Sequence, residues 1–177
     1  QPLVVVKRRA VDDQHGPGVG GHCIAVDPWF IVDACPEQAQ LIRTARRVND
    51  AKPGWVVERV TQALERIHRQ RPSAKREDLT VACLGIAFKP DIDDLRESPA
   101  LQIATELSKL GCQLQIVEPH VEQLPVALDK PNVALAEIDA ALVDADVVCV
   151  LVRHKRFKGH VPQLQRHHAL IDVVGLT

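Results

Sequence analysis

The sequence predicts an α/β fold in which a long helix is followed by a parallel, doubly wound sheet. Three observations support this prediction. Apolar residues recur at helical spacing from Pro36 to Ile67. A polar segment, residues 69–76, then marks a domain boundary. Beyond it, short apolar runs alternate with helical patterns, and such runs are typical of strands that are buried on both faces of a parallel sheet.

The long helix is expected to be interrupted once. Its inner-face apolar residues fall into two groups, Leu41–Val48 and Val56–Ile67, and Pro53-Gly54 lies between them. A proline inside a helix removes a hydrogen bond and clashes with the preceding turn, so we expect a kink or break there. Ahead of the helix, residues 16–35 are expected to form a loop that ends in an apolar turn, Trp29–Val32.

In the second half of the chain, strands are expected at residues 79–88, 113–117, 147–152 and 168–174. A helix should start at Ser98-Pro99, because serine is a preferred N-cap and proline suits the first helical position. Gly111 should end that helix, and a further helix is expected over residues 136–143. The chain is thus predicted to have three parts: residues 1–15 without a clear pattern, residues 16–72 with the loop and long helix, and an α/β domain at residues 73–177.

Composition excludes several classes of protein. The 177-residue chain has a formal net charge of −1 and a pI of about 6.8, which argues against nucleic acid or an anionic membrane as its main partner. No apolar run approaches the roughly 20 residues of a membrane span, and no signal peptide is recognisable. The five cysteines lack Cys-x-x-Cys spacing, which favours a reducing, cytoplasmic environment. Because the sequence contains no methionine, we expect a processed protein or part of a longer one.

The segment Gly16–Pro28 is the strongest candidate for a functional site. Four glycines within six residues let the backbone approach a ligand, and Cys23 follows them closely. A cysteine near exposed backbone N–H groups is a candidate nucleophile, because they stabilise its thiolate. The alternative is a glycine-rich turn with an inert cysteine. The segment also matches G-x-G-x-x-G, but no strand directly precedes it and Pro28 should interrupt any following helix, so we reject a dinucleotide-binding turn.

A second candidate site lies at the carboxyl ends of the predicted strands, where doubly wound sheets bind ligands. Lys89 and Arg96 precede the helix N-terminus at Ser98, and two cations beside free N–H groups suit a diphosphate. The alternative is a charged loop in which these cations pair with neighbouring acids. Glu118, after the second strand, could accept a hydrogen bond from a ribose hydroxyl, although an exposed acid at a strand end is the more usual case. The histidines lack metal-ligand spacing with cysteines, so we predict no metal.

Two long segments resemble the UDP-glucose/GDP-mannose dehydrogenase family. They are Gly-Val-Gly-Gly-His-Cys-Ile-Ala-Val-Asp-Pro-Trp-Phe at residues 18–30 and Gly-Ile-Ala-Phe-Lys-Pro-Asp-Ile-Asp-Asp-Leu-Arg-Glu-Ser-Pro at residues 85–99. The first is similar to the N-acetylhexosamine branch of that family. The resemblance implies a central dimerisation helix followed by a Rossmann-like UDP-binding domain, which together form the C-terminal portion of such an enzyme.

The resemblance also implies an activity. The expected reaction is the NAD-dependent oxidation of UDP-N-acetylmannosamine to its uronic acid, through a thiohemiacetal and a thioester on the cysteine. The implied site residues are Cys23 and Asp27 for catalysis, Gly20, Gly21, Phe88 and Lys89 for the UDP-N-acetylhexosamine substrate, and Arg96 for NAD. We expect a homodimer formed through residues 37–68. The alternative function is a standalone nucleotide-sugar-binding or dimerisation module without catalytic turnover.

Overall fold

The computed structural model describes residues 16–177, so the predicted first part of the chain, residues 1–15, lies outside the described residues. The elements in chain order are α1 (Asp27–Ala34), α2 (Gln40–Asp50), α3 (Lys52–Gln70), β1 (Thr80–Leu84), α4 (Pro99–Leu107), β2 (Gln113–Val117), β3 (Val133–Leu135), α5 (Ile138–Asp144), β4 (Val147–Val150), α6 (Val161–Arg166) and β5 (Leu170–Asp172). None of these helices combines the length and the apolar character that crossing a membrane requires.

The strands form one parallel sheet in the order β3-β2-β1-β4-β5. This is the predicted doubly wound arrangement, with a Rossmann-like topology. β1 and β4 are neighbours in the middle of the sheet, with Cys83 opposite Cys149, and both strands are buried over almost their whole length. The sequence pattern does not predict the edge strand β3, because β3 has only three residues and two of them are exposed.

Helices cover both faces of the sheet, and each face has its own apolar core. On one face, Val60 and Leu64 of α3 and Ile103 of α4 are buried against the strands. On the other face, Ala141 of α5 and Leu164 of α6 are buried. The helix that follows β1 and the helix that follows β4 therefore lie on opposite faces. This arrangement opens a crevice between the carboxyl ends of the two strands, which is where doubly wound folds bind ligands.

The apolar turn expected at Trp29–Val32 is part of a helix, α1. Pro28 lies at the second position of this helix, where its missing N–H has no intrahelical partner to lose. The expectation that Pro28 would interrupt a following helix is therefore wrong. α1 begins at Asp27, and a carboxylate is favourable beside the positive end of the helix dipole.

The long helix is broken as predicted. α2 and α3 meet at Ala51, and Pro53 lies in the first turn of α3, where the proline ring is tolerated. The apolar stripe of α3, Val56–Ile67, belongs to the core of the α/β sheet and is not available to a second chain. In the segment expected to dimerise, Leu41 and Val48 of α2 remain exposed.

Candidate functional site

The glycine–cysteine loop (residues 16–26) is in direct contact with the β1–α4 loop (residues 85–98). The N–H of Gly21 donates to the carbonyl oxygen of Glu97 at 3.3 Å. A Cβ atom on Gly20 would collide with that same oxygen and would lie 2.5 Å from Cδ of Pro99. Only glycine allows the two backbones to come this close. The two segments that carry the family resemblance therefore form one continuous surface.

Phe88 packs against the backbone of Gly21. Gly21 has a φ of +97°, and a Cβ atom there would lie 2.8 Å from Cε2 of the Phe88 ring. Nζ of Lys89 lies 5.3 Å from the centre of that ring, within cation–π range. Within residues 16–177, no ion pair involves Lys89. Its charge is therefore available to a ligand beside the glycine–cysteine loop.

Two side chains of α2 hold the glycine–cysteine loop. Asn49 exchanges two hydrogen bonds with Val19: its Oδ1 accepts from the N–H at 2.7 Å, and its Nδ2 donates to the carbonyl oxygen at 3.0 Å. The buried Arg46 donates through Nη1 to the carbonyl oxygens of Val19 and Ile24, at 3.5 and 3.4 Å, and through Nη2 to Asp50 at 2.6 Å. Sequence reasoning missed both residues, although their spacing of three places them on one helix face.

Cys23 is an exposed, free cysteine in the turn directly before α1. Its carbonyl oxygen accepts from the N–H groups of Val26 and Asp27, at 3.0 and 2.8 Å. This turn holds Cys23 and the exposed Asp27 at the same end of α1. The other exposed cysteine of the described chain, Cys35, lies at the opposite end of that helix.

The remaining three cysteines are buried in the core. Burial raises the pKa of the thiols of Cys83, Cys112 and Cys149 above its ordinary value. Because the thiolate is the reactive form, these cysteines are poorly reactive at neutral pH. The prediction that Cys83 and Cys149 are core residues is confirmed.

Arg96 forms an ion pair with Asp94, two residues before it in the β1–α4 loop. Nε lies 3.0 and 3.1 Å from the two carboxylate oxygens, and Nη2 lies 2.7 Å from Oδ2. Hydrogen bonds from Arg96 lower the pKa of Asp94 to about 2, and those to Asp94 raise the pKa of Arg96. His22 also lowers the pKa of Asp94 electrostatically, and Cys23 also raises that of Arg96, both less strongly than the hydrogen bonds. Of the two cations expected to face a diphosphate, Arg96 is therefore already paired, as in the charged-loop alternative.

Glu118 is buried, which corrects both expectations for this residue. Its Oε2 accepts from the N–H groups of Ile86 and Ala87, at 2.8 and 3.1 Å, and lies 3.2 Å from Nε2 of His154. The side chain has no exposed area and cannot reach a ribose in the crevice. Burial works to raise the pKa of Glu118, but the hydrogen bonds from His154 and the backbone outweigh burial and lower it. A glutamate that directly follows a strand gives the same sequence pattern whether its side chain faces solvent or is buried beneath a loop.

Comparison with known protein families identifies the family of this chain. The UDP binding domain of the UDP-glucose/GDP-mannose dehydrogenase family matches residues 82–177, more than half of the chain. The chain belongs to this family. The family's central domain matches residues 7–51, so the match begins inside the segment 1–15, for which the sequence pattern made no prediction.

Curated relatives within the family are named as nucleotide-sugar dehydrogenases. The chain is 50% identical over 165 residues to NDP-N-acetyl-D-galactosaminuronic acid dehydrogenase of Ralstonia nicotianae, covering 92% of the chain and 36% of the relative. It is 48% identical over 164 residues to UDP-N-acetyl-D-mannosamine dehydrogenase of Salmonella typhi, covering 92% of the chain and 39% of the relative. The chain thus spans less than two fifths of the length of these relatives.

Solved structures of family members have the same fold. UDP-N-acetyl-mannosamine dehydrogenase from S. aureus superposes with a TM-score of 0.67 at 33% identity, covering 92% of this chain and 36% of that one. UDP-D-ManNAc dehydrogenase from Pyrococcus horikoshii superposes with a TM-score of 0.69 at 27% identity, again covering 92% of this chain and 36% of that one. The predicted α/β fold with a Rossmann-like UDP-binding domain is confirmed.

Within residues 16–177, one cluster of side chains has ligand atoms suitable for a metal ion. Atoms of Asp91, His120 and His154 lie within 4.8 Å of one another. Nδ1 of His154 already accepts from the N–H of Asp91 at 2.9 Å, and its Nε2 faces Glu118. A metal would therefore have to displace one of these hydrogen bonds, and the absence of a bound metal stays a prediction.

Proposed function

We propose that this chain supplies the UDP-sugar-binding surface and the cysteine nucleophile of an NAD-dependent nucleotide-sugar 6-dehydrogenase. The proposed substrate is UDP-N-acetylmannosamine, oxidised at C6 to its uronic acid, because relatives from several organisms carry the corresponding name. One observation carries the proposal: Gly20 and Gly21 pack directly on the loop of Phe88 and Lys89. This contact brings the exposed loop of Cys23 beside the loop of Lys89, a cation that forms no ion pair within residues 16–177.

Each residue of this surface has a proposed role in binding the UDP-N-acetylhexosamine. Lys89 would pair with the diphosphate, since its ammonium has no carboxylate partner among the described residues. Phe88 would offer an apolar ring face to the same ligand. Gly20 and Gly21 would line the sugar, because backbone without side chains allows a ligand to approach closely.

Cys23 would act as the nucleophile of a four-electron oxidation. The first hydride leaves C6 of the sugar, with loss of the hydroxyl proton, to give an aldehyde. The sulfur of Cys23 adds to this carbon as a thiohemiacetal, from which a second hydride leaves to give a thioester. Water then cleaves the carbon–sulfur bond, which releases the carboxylate and restores the thiol. Asp27, held at the same end of α1, would position or activate that water.

NAD is the proposed oxidant, and two molecules of NAD would accept the two hydrides in turn. Within residues 16–177, Arg96 is the one residue that we assign to NAD. The glycine–cysteine loop leads into α1 through a turn of five residues. Val26 occupies the N-cap position of α1, and its side chain makes no capping hydrogen bond. The loop after β1 has one glycine, Gly85, and reaches the next helix only at Pro99. Neither loop has the glycine-rich strand–turn–helix geometry that holds a dinucleotide.

We therefore propose that this chain alone oxidises no sugar nucleotide. The proposed division is a catalytic loop and central helices at residues 16–72 and a UDP-sugar-binding domain at residues 73–177, working as a homodimer. A reducing cytoplasm would keep the exposed Cys23 as a free thiol, which the chemistry requires. The alternative function is a nucleotide-sugar-binding or dimerisation module without turnover, with which the lack of a dinucleotide turn within residues 16–177 also agrees.

Titration calorimetry with UDP and UDP-N-acetylmannosamine tests the binding surface. Lys89→Ala should weaken UDP binding by about 1.5–3 kcal/mol, the range for a hydrogen bond to a charged group. Lys158→Ala is a matched control, because Lys158 is an exposed lysine outside the proposed site. Equal affinity of both variants for UDP would contradict the assignment of Lys89. NADH formation from the wild-type chain, NAD and UDP-N-acetylmannosamine would contradict the proposed lack of turnover.

A further inference from the structure

Two buried side chains, Glu118 and His154, hold the segment 86–91, one at each end. At the first end, Glu118 accepts from two successive backbone N–H groups, at 2.8 and 3.1 Å. At the other end, Nδ1 of His154 accepts from the N–H of Asp91 at 2.9 Å. Glu118 and His154 face each other at 3.2 Å between these two attachments. The residues between the two attachments include Phe88-Lys89, the proposed contacts of the UDP-sugar.

The hydrogen bonds of His154 define the roles of its two ring nitrogens. Because Nδ1 accepts from a backbone N–H, Nδ1 carries no proton, and Nε2 is the donor to Glu118. The ring is fully buried and packs edge-on against Phe157, with ring centres 5.2 Å apart. The imidazole is therefore fixed in position, and its acceptor points at the β1–α4 loop.

Asp91 adopts a backbone conformation that requires such support. Its φ is +61°, which is uncommon for a residue with a side chain and persists only where the surroundings hold it. Oδ1 of Asp91 accepts from the N–H of Lys155 at 2.9 Å, and Oδ2 lies 3.4 Å from Nζ of Lys155. His154 and Lys155, which follow β4, thus hold both the main chain and the side chain of Asp91.

We propose that Glu118 and His154 are positioning residues of the UDP-sugar site. Held between the ends of β2 and β4, they set the path of the β1–α4 loop and so place Phe88 and Lys89 for the nucleotide without touching it. The inference rests on the proposed function, because it takes Lys89 as a contact of UDP. It extends that function by giving a role in nucleotide affinity to two residues that are buried beneath the loop.

Two substitutions of His154 separate positioning from packing. Asparagine places an acceptor oxygen near the position of Nδ1 and keeps the hydrogen bond from Asp91, whereas glutamine places a donor nitrogen near Nε2 and keeps the bond to Glu118. His154→Gln should weaken UDP binding to the chain roughly tenfold, while His154→Asn should stay within about threefold of wild type. Lys89→Ala/His154→Gln should lose less UDP affinity than the sum of the two single losses, because both changes act on the Lys89 contact.

Amide hydrogen exchange provides a readout that does not depend on UDP. In His154→Gln, exchange at Asp91 should accelerate while Ala87, which Glu118 still holds, stays protected. If this pattern appears but the wild-type chain does not bind UDP, the loop positioning stands and the proposed function fails. Unchanged exchange at Asp91 would overturn the positioning role. The same holds if both His154 variants lose UDP affinity in proportion to the fall in their melting temperatures.

Discussion

The backbone of Gly20 lies against the carbonyl oxygen of Glu97, closer than any side chain at position 20 would allow. Glu97 itself has a positive φ of 48°, which is uncommon for a residue with a side chain. The contact joins the part of the chain that matches the family's central domain to the part that matches its UDP binding domain. Together with the packing of Phe88 on Gly21, it links the loop of Cys23 to the loop of Lys89.

A methyl group at position 20 should therefore separate the two loops. Gly20→Ala is expected to lower the free energy of unfolding by about 1–3 kcal/mol, the range for overpacking a well-filled site. Gly54→Ala is the matched control, because a Cβ atom there meets open space within α3. That change should raise stability by about 0.5–1 kcal/mol. Urea unfolding measures both values, and equal values for the two variants would contradict the close approach at Gly20.

Asn49 is expected to hold the glycine–cysteine loop in solution. Asn49→Ala removes both hydrogen bonds to Val19 and should lower the free energy of unfolding by about 1 kcal/mol. Amide exchange at Val19 should accelerate in this variant. Thr44→Ala, an exposed substitution on the same helix, should change neither quantity. Protection of Val19 that persists in Asn49→Ala would show that the loop is held by other contacts.

The pKa of Glu118 predicts a specific acid sensitivity. Because the folded-state pKa is lowered, the ionised carboxylate stabilises the fold above its unfolded-state pKa of about 4.3, and this contribution is lost as the pH falls through the folded-state value. Wild type should therefore lose more stability than Glu118→Gln between about pH 5 and pH 3. Urea unfolding at several pH values measures this difference. Parallel pH profiles for the two proteins would contradict the assignment.

Self-association is expected to depend on α2. Leu41 and Val48 are 81% and 61% exposed and lie seven residues apart, which puts them on one face of the helix. The double substitution Leu41→Ser/Val48→Ser should shift the chain from dimer to monomer in sedimentation experiments. Val143→Ser, at an 84% exposed position on α5, is the control and should leave the dimer intact. A wild-type chain that is monomeric at tens of micromolar, on the order of ordinary assay concentrations, would remove the basis for this prediction.

Much of the fold could be predicted because its elements have strong local patterns. Gln113–Val117 forms a strand at the predicted residues, and Ser98 caps α4 through a hydrogen bond from Leu101, as the Ser-Pro pair indicates. The break between α2 and α3 follows from the proline at position 53. In contrast, Pro28 was expected to interrupt a helix because its position within the helix could not be read from the sequence. Proline is tolerated in the first turn and not further along.

The support of the site could not be predicted, because it depends on contacts between distant residues. Glu118 and His154 are 36 residues apart, and no local pattern indicates that they meet beneath the β1–α4 loop. Asn49 and Val19 are 30 residues apart and come together only through the fold. The sequence motifs identified the surface that faces the proposed ligand. The side chains that hold this surface in place became visible only in three dimensions.

The most direct test of the account is a UDP-N-acetylhexosamine analogue with a haloacetyl group at C6. If the UDP-sugar surface delivers C6 to Cys23, intact mass should show a single adduct, peptide mapping should place it on Cys23, and excess UDP should suppress it. Cys35 is an internal control, because it is equally free and exposed, and untargeted iodoacetamide should label both residues. Equal labelling of Cys35 by the analogue, or labelling of Cys23 that excess UDP does not slow, would contradict the proposed site.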